Sequence, residues 1–423
     1  MDPEIKTMCI IGMGYVGLPI SATWASRGIK VIGVDISPDI VARINAGQPH
    51  FAEPALDMLL RAAVQTGNLR ASCEPEAADA FVIAVPTPLG VDKSANLDYV
   101  DAATDAVAPL LAHGNIVILE STVPVGTTER MARRFATMRP DLRFPLTNAT
   151  DVDVHIAHCP ERVLPGRTVH ELIENDRIIG GMTEKCAARA ETIYGVFLQG
   201  KCFLTDAATA ELAKLTENAF RDVNIAFANE LSMICDSLGL NVWNLIDLAN
   251  RHPRVSILEP GAGVGGHCVA VDPWFIVSSV PEHAQLIRTA REVNDGKPDF
   301  VVSQVRERAA RFRNPIVACL GLAFKPDVDD TRESPALKIT KQLAGSGFER
   351  VLVADPNLRE LPEELAKCSN VALVQTGDAV QQADILAILV AHSAFKKIPR
   401  EQVLRRVVID ASGLFQRSES GTR

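Results

Sequence analysis

The first third of the chain alternates short apolar runs with stretches whose apolar residues recur at helical spacing. Residues 8–11, 30–34, 81–85 and 116–119 are apolar runs of strand length, and residues 16–27, 38–46, 54–65 and 99–111 between them carry the helical period. Strand, helix, strand in succession predicts right-handed crossovers and a mostly parallel sheet. Residues 154–158 and 177–180 extend the strand series, with a helix over 184–194. The texture changes after Gly200. No Gly or Pro interrupts residues 201–238, Thr205 or Asp206 can cap a helix start, and Gly239 can end it. A helix of about thirty residues is long for a globular protein, and it is expected to form a spine between domains. A loop-rich stretch over 250–273 follows, then helix over 282–312. After Asn314-Pro315 the alternation restarts, with strands at 316–320, 351–353, 371–374, 385–390 and 407–409 and helices at 335–345 and 377–381. No sequence repeat is visible, and only the tail after Phe415 reads as loose.

The predicted fold class is therefore α/β. Two parallel-sheet domains, residues 1–200 and 313–423, are joined by a long central helix and a helical region, residues 201–312. With 423 residues, 47% of them hydrophobic, there is material for more than one core, and disordered and fibrous classes are excluded. The net charge of −9 comes without a basic run, so neither nucleic acid nor an anionic membrane is an expected partner. A local basic pocket for an anionic small molecule is compatible with that balance. No apolar run approaches the ~20 residues that span a bilayer. The first residues read as leading straight into a strand, so a signal peptide is not expected, and the nine cysteines include no C-x-x-C pair. A cytoplasmic location is expected, without a disulfide framework.

Gly12-Met13-Gly14-Tyr15-Val16-Gly17 follows the first strand and opens the first helix. G-x-G-x-x-G alone is a weak signal. In this context the glycines allow a tight turn and close approach to a pyrophosphate, and the helix N-terminus offers N–H groups to the phosphates. Asp35 ends the second strand, where a carboxylate accepts from ribose hydroxyls and repels a 2′-phosphate, which favours NAD over NADP. The alternative is a glycine-rich turn with a helix-capping aspartate. Thr87 and Thr122 lie in proline-stiffened loops after later strands, where ligands bind in such sheets, although such stretches also serve as plain turns.

The most informative segment runs from Gly261 to Pro273. Glycines at 261, 263, 265 and 266 precede His267-Cys268, and Asp272 lies one helical turn further on if the segment is helical. Glycine-rich backbone beside a helix start favours a thiolate, so Cys268 is the candidate nucleophile, and the other cysteines read as packing. Adjacent His267 and Cys268 lack metal-ligand spacing, so no metal is expected. On the predicted long helix, Lys214, Asn218 and Arg221 follow i, i+4, i+7 and share a face, either a solvated one or a functional one. Cationic residues beside Pro/Gly loops suit anionic oxygens or structural ion pairs: Arg162 in the 158–166 loop, Arg251 and Arg254 beside Pro253, and Lys325 and Arg332 in the 321–335 loop.

Together these residues resemble the UDP-glucose/GDP-mannose dehydrogenase family over residues 10–410. The resemblance implies an NAD domain, a central dimerisation region and a C-terminal nucleotide-sugar domain. It also implies oxidation of a UDP-sugar at C6 to a carboxylate with two NAD and a cysteine thioester. By it, Cys268 is the nucleophile with Asp272 after it, Lys214 and Asn218 hold a water and stabilise oxyanions, and Thr122 and Glu161 act in the site. Gly12, Gly14, Tyr15, Val16, Gly17, Asp35, Thr87, Thr122 and Arg332 would hold NAD. Arg162, Val163, Arg221, Gly265, Phe324 and Lys325 would meet the nucleotide sugar with Lys214 and Asn218, and His252 and Arg254 would arrive from the partner of a homodimer. Where UDP-glucose dehydrogenases read G-F-G-G-S-C-F-P-K-D, this chain has Val264, His267, Ala270 and Val271. That pattern is similar to the branch acting on UDP-N-acetyl-D-mannosamine for bacterial surface polysaccharide. Another UDP-sugar 6-dehydrogenase, acting on UDP-glucose, UDP-GlcNAc or UDP-GalNAc, a one-step hydroxyacid dehydrogenase and a non-catalytic NAD- or nucleotide-sugar-binding regulator remain as alternatives.

Overall fold

The computed structural model describes residues 5–146, 151–164 and 166–415. The tail read as loose lies outside the described residues from 416 onward, as does Pro165 within the 158–166 loop. The chain forms two compact units, divided between Glu217 and Asn218.

The first unit is built on β1 (Thr7–Ile11), α1 (Gly17–Ser26), β2 (Lys30–Val34), α2 (Pro38–Asn45), α3 (Leu56–Gln65), β3 (Leu69–Ser72), β4 (Ala80–Ile83) and α4 (Asp98–Val107). There follow β5 (Ile116–Leu119), α5 (Thr127–Met138), β6 (His155–His158), α6 (Thr168–Glu174), β7 (Arg177–Gly181), α7 (Glu184–Tyr194), β8 (Cys202–Asp206) and the start of α8 (Ala207–Leu238). The strands form one eight-stranded sheet in the order β3-β2-β1-β4-β5-β6-β7-β8. All neighbours are parallel except β6 and β7. Strands β4 and β5 are buried at every residue, which explains why they read as unbroken apolar runs. Cores lie on both faces, one holding Trp24, Tyr194 and Phe197 and the other Phe81, Phe135 and Phe144. Helix starts follow local chemistry: Ser37 accepts from the Ile40 N–H ahead of Pro38, and Thr183 accepts from the Cys186 N–H.

Residues 202–206 form a strand that pairs with β7 through five residues, so the helix begins at Ala207 and the first sheet runs past Gly200. The absence of Gly and Pro marks an uninterrupted segment, which here is strand plus helix.

The second unit contains the rest of α8, then α9 (Val242–Ala249), α10 (Asp272–Ser279) and α11 (Gln285–Ala309). Next come β9 (Ile316–Leu320), α12 (Pro335–Ala344), β10 (Arg350–Ala354), α13 (Glu363–Ala366), β11 (Val371–Leu373), α14 (Thr376–Gln382), β12 (Ile385–Ile388), α15 (Arg400–Leu404) and β13 (Val407–Asp410). Its five strands are all parallel in the order β11-β10-β9-β12-β13. Both sheets therefore reverse their strand order beside their first strand, between β1 and β4 and between β9 and β12, the position where open α/β sheets bind ligands. No helix among the described residues is long and apolar enough to cross a membrane.

Candidate active site

In the first unit the β1–α1 turn is a cradle of backbone. Gly12 has φ +95°, and a Cβ there would meet the Ala84 carbonyl oxygen at 2.5 Å. A Cβ on Gly17 would meet the Gly12 oxygen at 1.8 Å, whereas one on Gly14 would meet nothing within 4 Å, so the turn is tight inside and open outside. No side chain caps the N-terminus of α1 at Val16, although the Leu18 N–H donates to the Gly14 carbonyl at 3.1 Å and Pro19 has no N–H to offer. Asp35 accepts from the Met13 N–H at 3.2 Å and the Ser37 N–H at 2.9 Å, setting its carboxylate beside the turn. The half-exposed Tyr15 ring packs on Phe51 with centroids 4.2 Å apart. These residues fit a dinucleotide. The Thr87 hydroxyl donates to the Thr122 carbonyl at 2.7 Å and Ser121 to the Val85 carbonyl at 2.7 Å, so the loops after β4 and β5 are tied together.

After β6, Glu161 accepts the Val163 N–H, while Arg162 pairs with Glu217 at 2.8 Å. Glu161 keeps some exposure, yet dense surroundings push its carboxyl up to about 7, against the lowering pull of Lys214 and Arg177. Lys214 is 8% exposed, so it is no solvated surface cation. Beneath them Arg177 donates to the buried Glu120 carboxylate at 2.7 Å and Tyr194 does so at 3.0 Å. Burial raises the Glu120 carboxyl, and the Arg177 charge opposes that rise. Burial also lowers His158, at the end of β6, to about 3, so it is neutral. Two distant carboxylates fix the loops. Glu211 accepts from the Gly126 and Thr128 N–H groups at 2.6 and 2.7 Å, and Glu53 accepts from Gly166 and Thr168 at 2.8 and 2.7 Å.

In the second unit Asn218 donates to the Asp272 carboxylate at 2.6 Å. Helix α10 begins at Asp272, and the Asp272 N–H donates to the Cys268 carbonyl at 2.9 Å. The cysteine thus sits in the turn before the helix rather than on its first residue, and it is exposed while Asp272 is buried. A Cβ on Gly265 would meet the Glu333 oxygen at 2.5 Å and the Pro335 ring at 2.7 Å, so only glycine fits between these segments. Phe324 lies against the same backbone, and the Lys325 ammonium is 5.5 Å from its ring centroid. Arg332 is exposed and pairs with Asp330 at 2.7 Å. Arg221, His252 and Arg254 are exposed, the last two in the turn after α9.

Three family models match in order: the NAD binding domain of the UDP-glucose/GDP-mannose dehydrogenase family over residues 6–198, its central domain over 208–296 and its UDP binding domain over 318–417. The chain belongs to that family. It is 56% identical over 402 residues to a UDP-N-acetyl-D-mannosamine dehydrogenase of Campylobacter jejuni, covering 95% of this chain and 99% of the relative. It is 54% identical over 415 residues to an NDP-N-acetyl-D-galactosaminuronic acid dehydrogenase of Ralstonia nicotianae, covering 98% and 97%. The solved UDP-D-ManNAc dehydrogenase of Pyrococcus horikoshii superposes with a TM-score of 0.86 at 38% identity, covering 98% and 97%. The chain is therefore an NAD-using dehydrogenase. The glycine cradle and Asp35 fall within the matched NAD binding domain, and Phe324, Lys325 and Arg332 within the matched UDP binding domain.

Within the first unit, the sequence candidates Thr87 and Thr122 meet, and Glu161 feels the charge of Lys214. Within the second, Asn218 and Asp272 bond directly, and Gly265 meets Phe324. Sequence reasoning missed Glu120, Arg177 and Tyr194, and also the buried network in which Arg291 and Asn294 bond Asp222 while Asn229 bonds Asn294 and the Gly261 N–H. Their partners are dozens of residues away, so no local spacing could have found them.

Proposed function

We propose that the enzyme oxidises UDP-N-acetyl-D-mannosamine at C6 to the uronate through a Cys268 thioester. The observation that carries this reading is an exposed cysteine whose carbonyl starts the turn into a buried Asp272–Asn218 pair. Bound NAD would accept hydride from C6, two NAD being consumed for each sugar. Lys214 and Asp272, through a water, take the proton of the C6 hydroxyl. The Cys268 thiolate adds to the aldehyde, which keeps that intermediate in the site. Asn218 and Lys214 stabilise the oxyanion as it develops. Glu161, with a carboxyl near neutrality, deprotonates the water that cleaves the thioester, releasing carboxylate and thiol. Thr122 takes part from the tied loops. Arg162, Val163, Arg221, Gly265, Phe324 and Lys325 bind the UDP-sugar, while Tyr15, Val16, Thr87 and Arg332 complete the NAD site.

The division into an NAD domain, a central region and a UDP-sugar domain near residues 200 and 312 belongs to the same reading. Each sugar then yields two NADH, which separates it from a one-step hydroxyacid dehydrogenase. The uronate product would supply bacterial surface polysaccharide. The 54% identity to the N-acetylgalactosaminuronic acid dehydrogenase supports a second reading in which the sugar is N-acetyl-D-galactosamine. NADH release across UDP-ManNAc, UDP-GalNAc, UDP-GlcNAc, UDP-glucose and GDP-mannose decides between them. Turnover of UDP-ManNAc at one NADH per sugar, or no turnover of it, would defeat the first reading.

The working form is proposed to be a homodimer. Phe220, Phe227 and Ile234 recur every seventh residue on α8 and are 67%, 53% and 45% exposed, an apolar stripe that a second copy of the helix would cover. Phe227→Asp should give a monomer by light scattering. His252 and Arg254 would then serve the partner's site, so mixing inactive Cys268→Ala and Arg254→Ala subunits should restore activity.

A further inference from the structure

The two sheets repeat one backbone plan at the carboxyl ends of their strands. Gly12 follows β1 and donates to the Val34 carbonyl at 2.8 Å, and Asp35 follows β2. Gly321 follows β9 with φ +89° and donates to the Ala354 carbonyl at 2.8 Å, and Asp355 follows β10. A Cβ on Gly12 would meet Ala84, and one on Gly321 would meet Val390, each just past the neighbouring strand of the switch point. The carboxylates differ in what they hold. Asp35 accepts two backbone N–H groups. Asp355 accepts from Leu322 at 2.8 Å, Ala323 at 3.4 Å and Asn357 at 2.9 Å, and its Oδ2 lies 3.1 Å from Nε2 of His392.

His392 is fully buried, and its Nδ1 receives the Asp327 N–H at 3.0 Å and lies 3.1 Å from the Asn357 amide nitrogen. A ring nitrogen that accepts an N–H carries no proton, so the proton sits on Nε2 and points at Asp355. Asp327 has φ +61°, and its carboxylate accepts the Ser393 N–H at 2.8 Å and hydroxyl at 2.6 Å. Residues 321–327 are thus pinned on one side to 355–357 and on the other to 392–393. This loop carries Phe324, whose ring would lie 3.2 Å from a Cβ on Gly266, and Gly266 leads through His267 to Cys268. A buried network of this kind fixes geometry because a half-satisfied version is costly.

We propose that His392 is a positioning residue for the cysteine loop: bridging Asp355 and the Asp327 N–H, it sets the height of Phe324 beneath Gly265-Gly266 and the reach of Lys325. The inference rests on the reading in which Cys268 is the nucleophile and Lys325 meets the sugar, and it adds a second layer that the sequence motifs do not contain. His392→Asn keeps an acceptor where Nδ1 stood, and His392→Gln keeps a donor where Nε2 stood. In full-length enzyme, H392N should stay within about threefold of wild-type kcat, whereas H392Q, which strands the Asp327 N–H, should lose about tenfold or more with KM for NAD unchanged. The rate at which iodoacetamide alkylates Cys268, followed on its peptide without any ligand, should change in H392Q and not in H392N. Equal behaviour of the two variants, wild-type rates in H392Q, or failure of both to fold would overturn the proposal. The alkylation readout needs no substrate. A wild type inert to every UDP-sugar would therefore sink the functional reading while leaving the positioning test intact.

Discussion

The Asn218 amide donates to the Asp272 carboxylate at 2.6 Å, with the two side chains only 7% and 3% exposed. A buried carboxylate needs its hydrogen bonds, and this donor fixes its rotation beside the turn that holds Cys268. Asn218→Asp places two carboxylates in contact, so one must stay protonated or both must move apart. We expect kcat to fall about a hundredfold or more, with the Kd for NAD unchanged. Stopped-flow NADH release together with calorimetry of NAD binding checks this, and wild-type kcat in N218D would exclude the pair from the chemistry.

Burial raises the Glu161 carboxyl to about 7, and the Lys214 cation restrains that rise. As the proposed base for thioester cleavage Glu161 would have to be ionised, so kcat should fall as pH drops through 7. The stability effect has the opposite sense: a carboxyl raised in the folded state contributes most below its unfolded range, and that contribution is lost as pH rises through about 7. Glu161→Gln should therefore lose the kinetic limb and show a flatter Tm between roughly pH 5 and 8. Lys214→Ala should move the limb upward, since it removes a lowering charge. A limb that stays in place in both variants assigns it to another group.

How much was legible in advance divides along the range of the interactions. Strands β1, β2, β5 and β9 follow from apolar runs alone, because a strand buried on both faces writes its burial directly into the sequence. Strand β3 was missed because Leu69–Ser72 is four residues with Arg70 exposed at an edge, too short and too polar to announce itself. Helix α5 was missed because Thr127–Met138 carries three arginines and its apolar stripe is thin. Of the proposed site, the glycine turn after β1 and the turn from Cys268 to Asp272 were readable, since their spacing is local. Glu53 and Glu211, whose carboxylates reach 115 and 83 residues along the chain to Thr168 and Thr128, left no local trace.

The Glu120–Arg177 pair illustrates what such hidden contacts hold together. Arg177 is 5% exposed and Glu120 1%, so removing one partner strands the other charge in the interior. Arg177→Ala should cost about 3–5 kcal/mol. The double variant Glu120→Gln, Arg177→Met should recover part of that, because no unpaired charge remains. Urea melts of the three proteins measure it, and equal losses in single and double variants would show that packing rather than charge dominates.

Asp35, proposed to set cofactor choice, also receives the Met13 and Ser37 N–H groups, so alanine would disturb the turn as well as the charge. Asparagine retains an acceptor and removes the repulsion toward a 2′-phosphate. Asp35→Asn should shift the ratio of kcat/KM for NAD over NADP by about tenfold or more toward NADP. Equal efficiency of the wild type with both cofactors would remove Asp35 from cofactor selection.

The proposed mechanism turns on Cys268. Its exposure leaves it open to a substrate aldehyde, and the turn that follows delivers Asp272 within one helical turn. A serine in its place has the right size but ionises far less readily, so Cys268→Ser should slow the full four-electron oxidation by orders of magnitude. Any ester it does form should hydrolyse slowly, and an adduct of UDP-sugar mass should build up on the protein. NAD binding should survive, since the glycine cradle belongs to the other unit. Intact-mass spectrometry and a count of NADH per site in the first turnover measure both effects. A serine variant that releases two NADH per sugar at wild-type speed would rule out the thioester, and hydration of an unbound aldehyde would become the route to the acid.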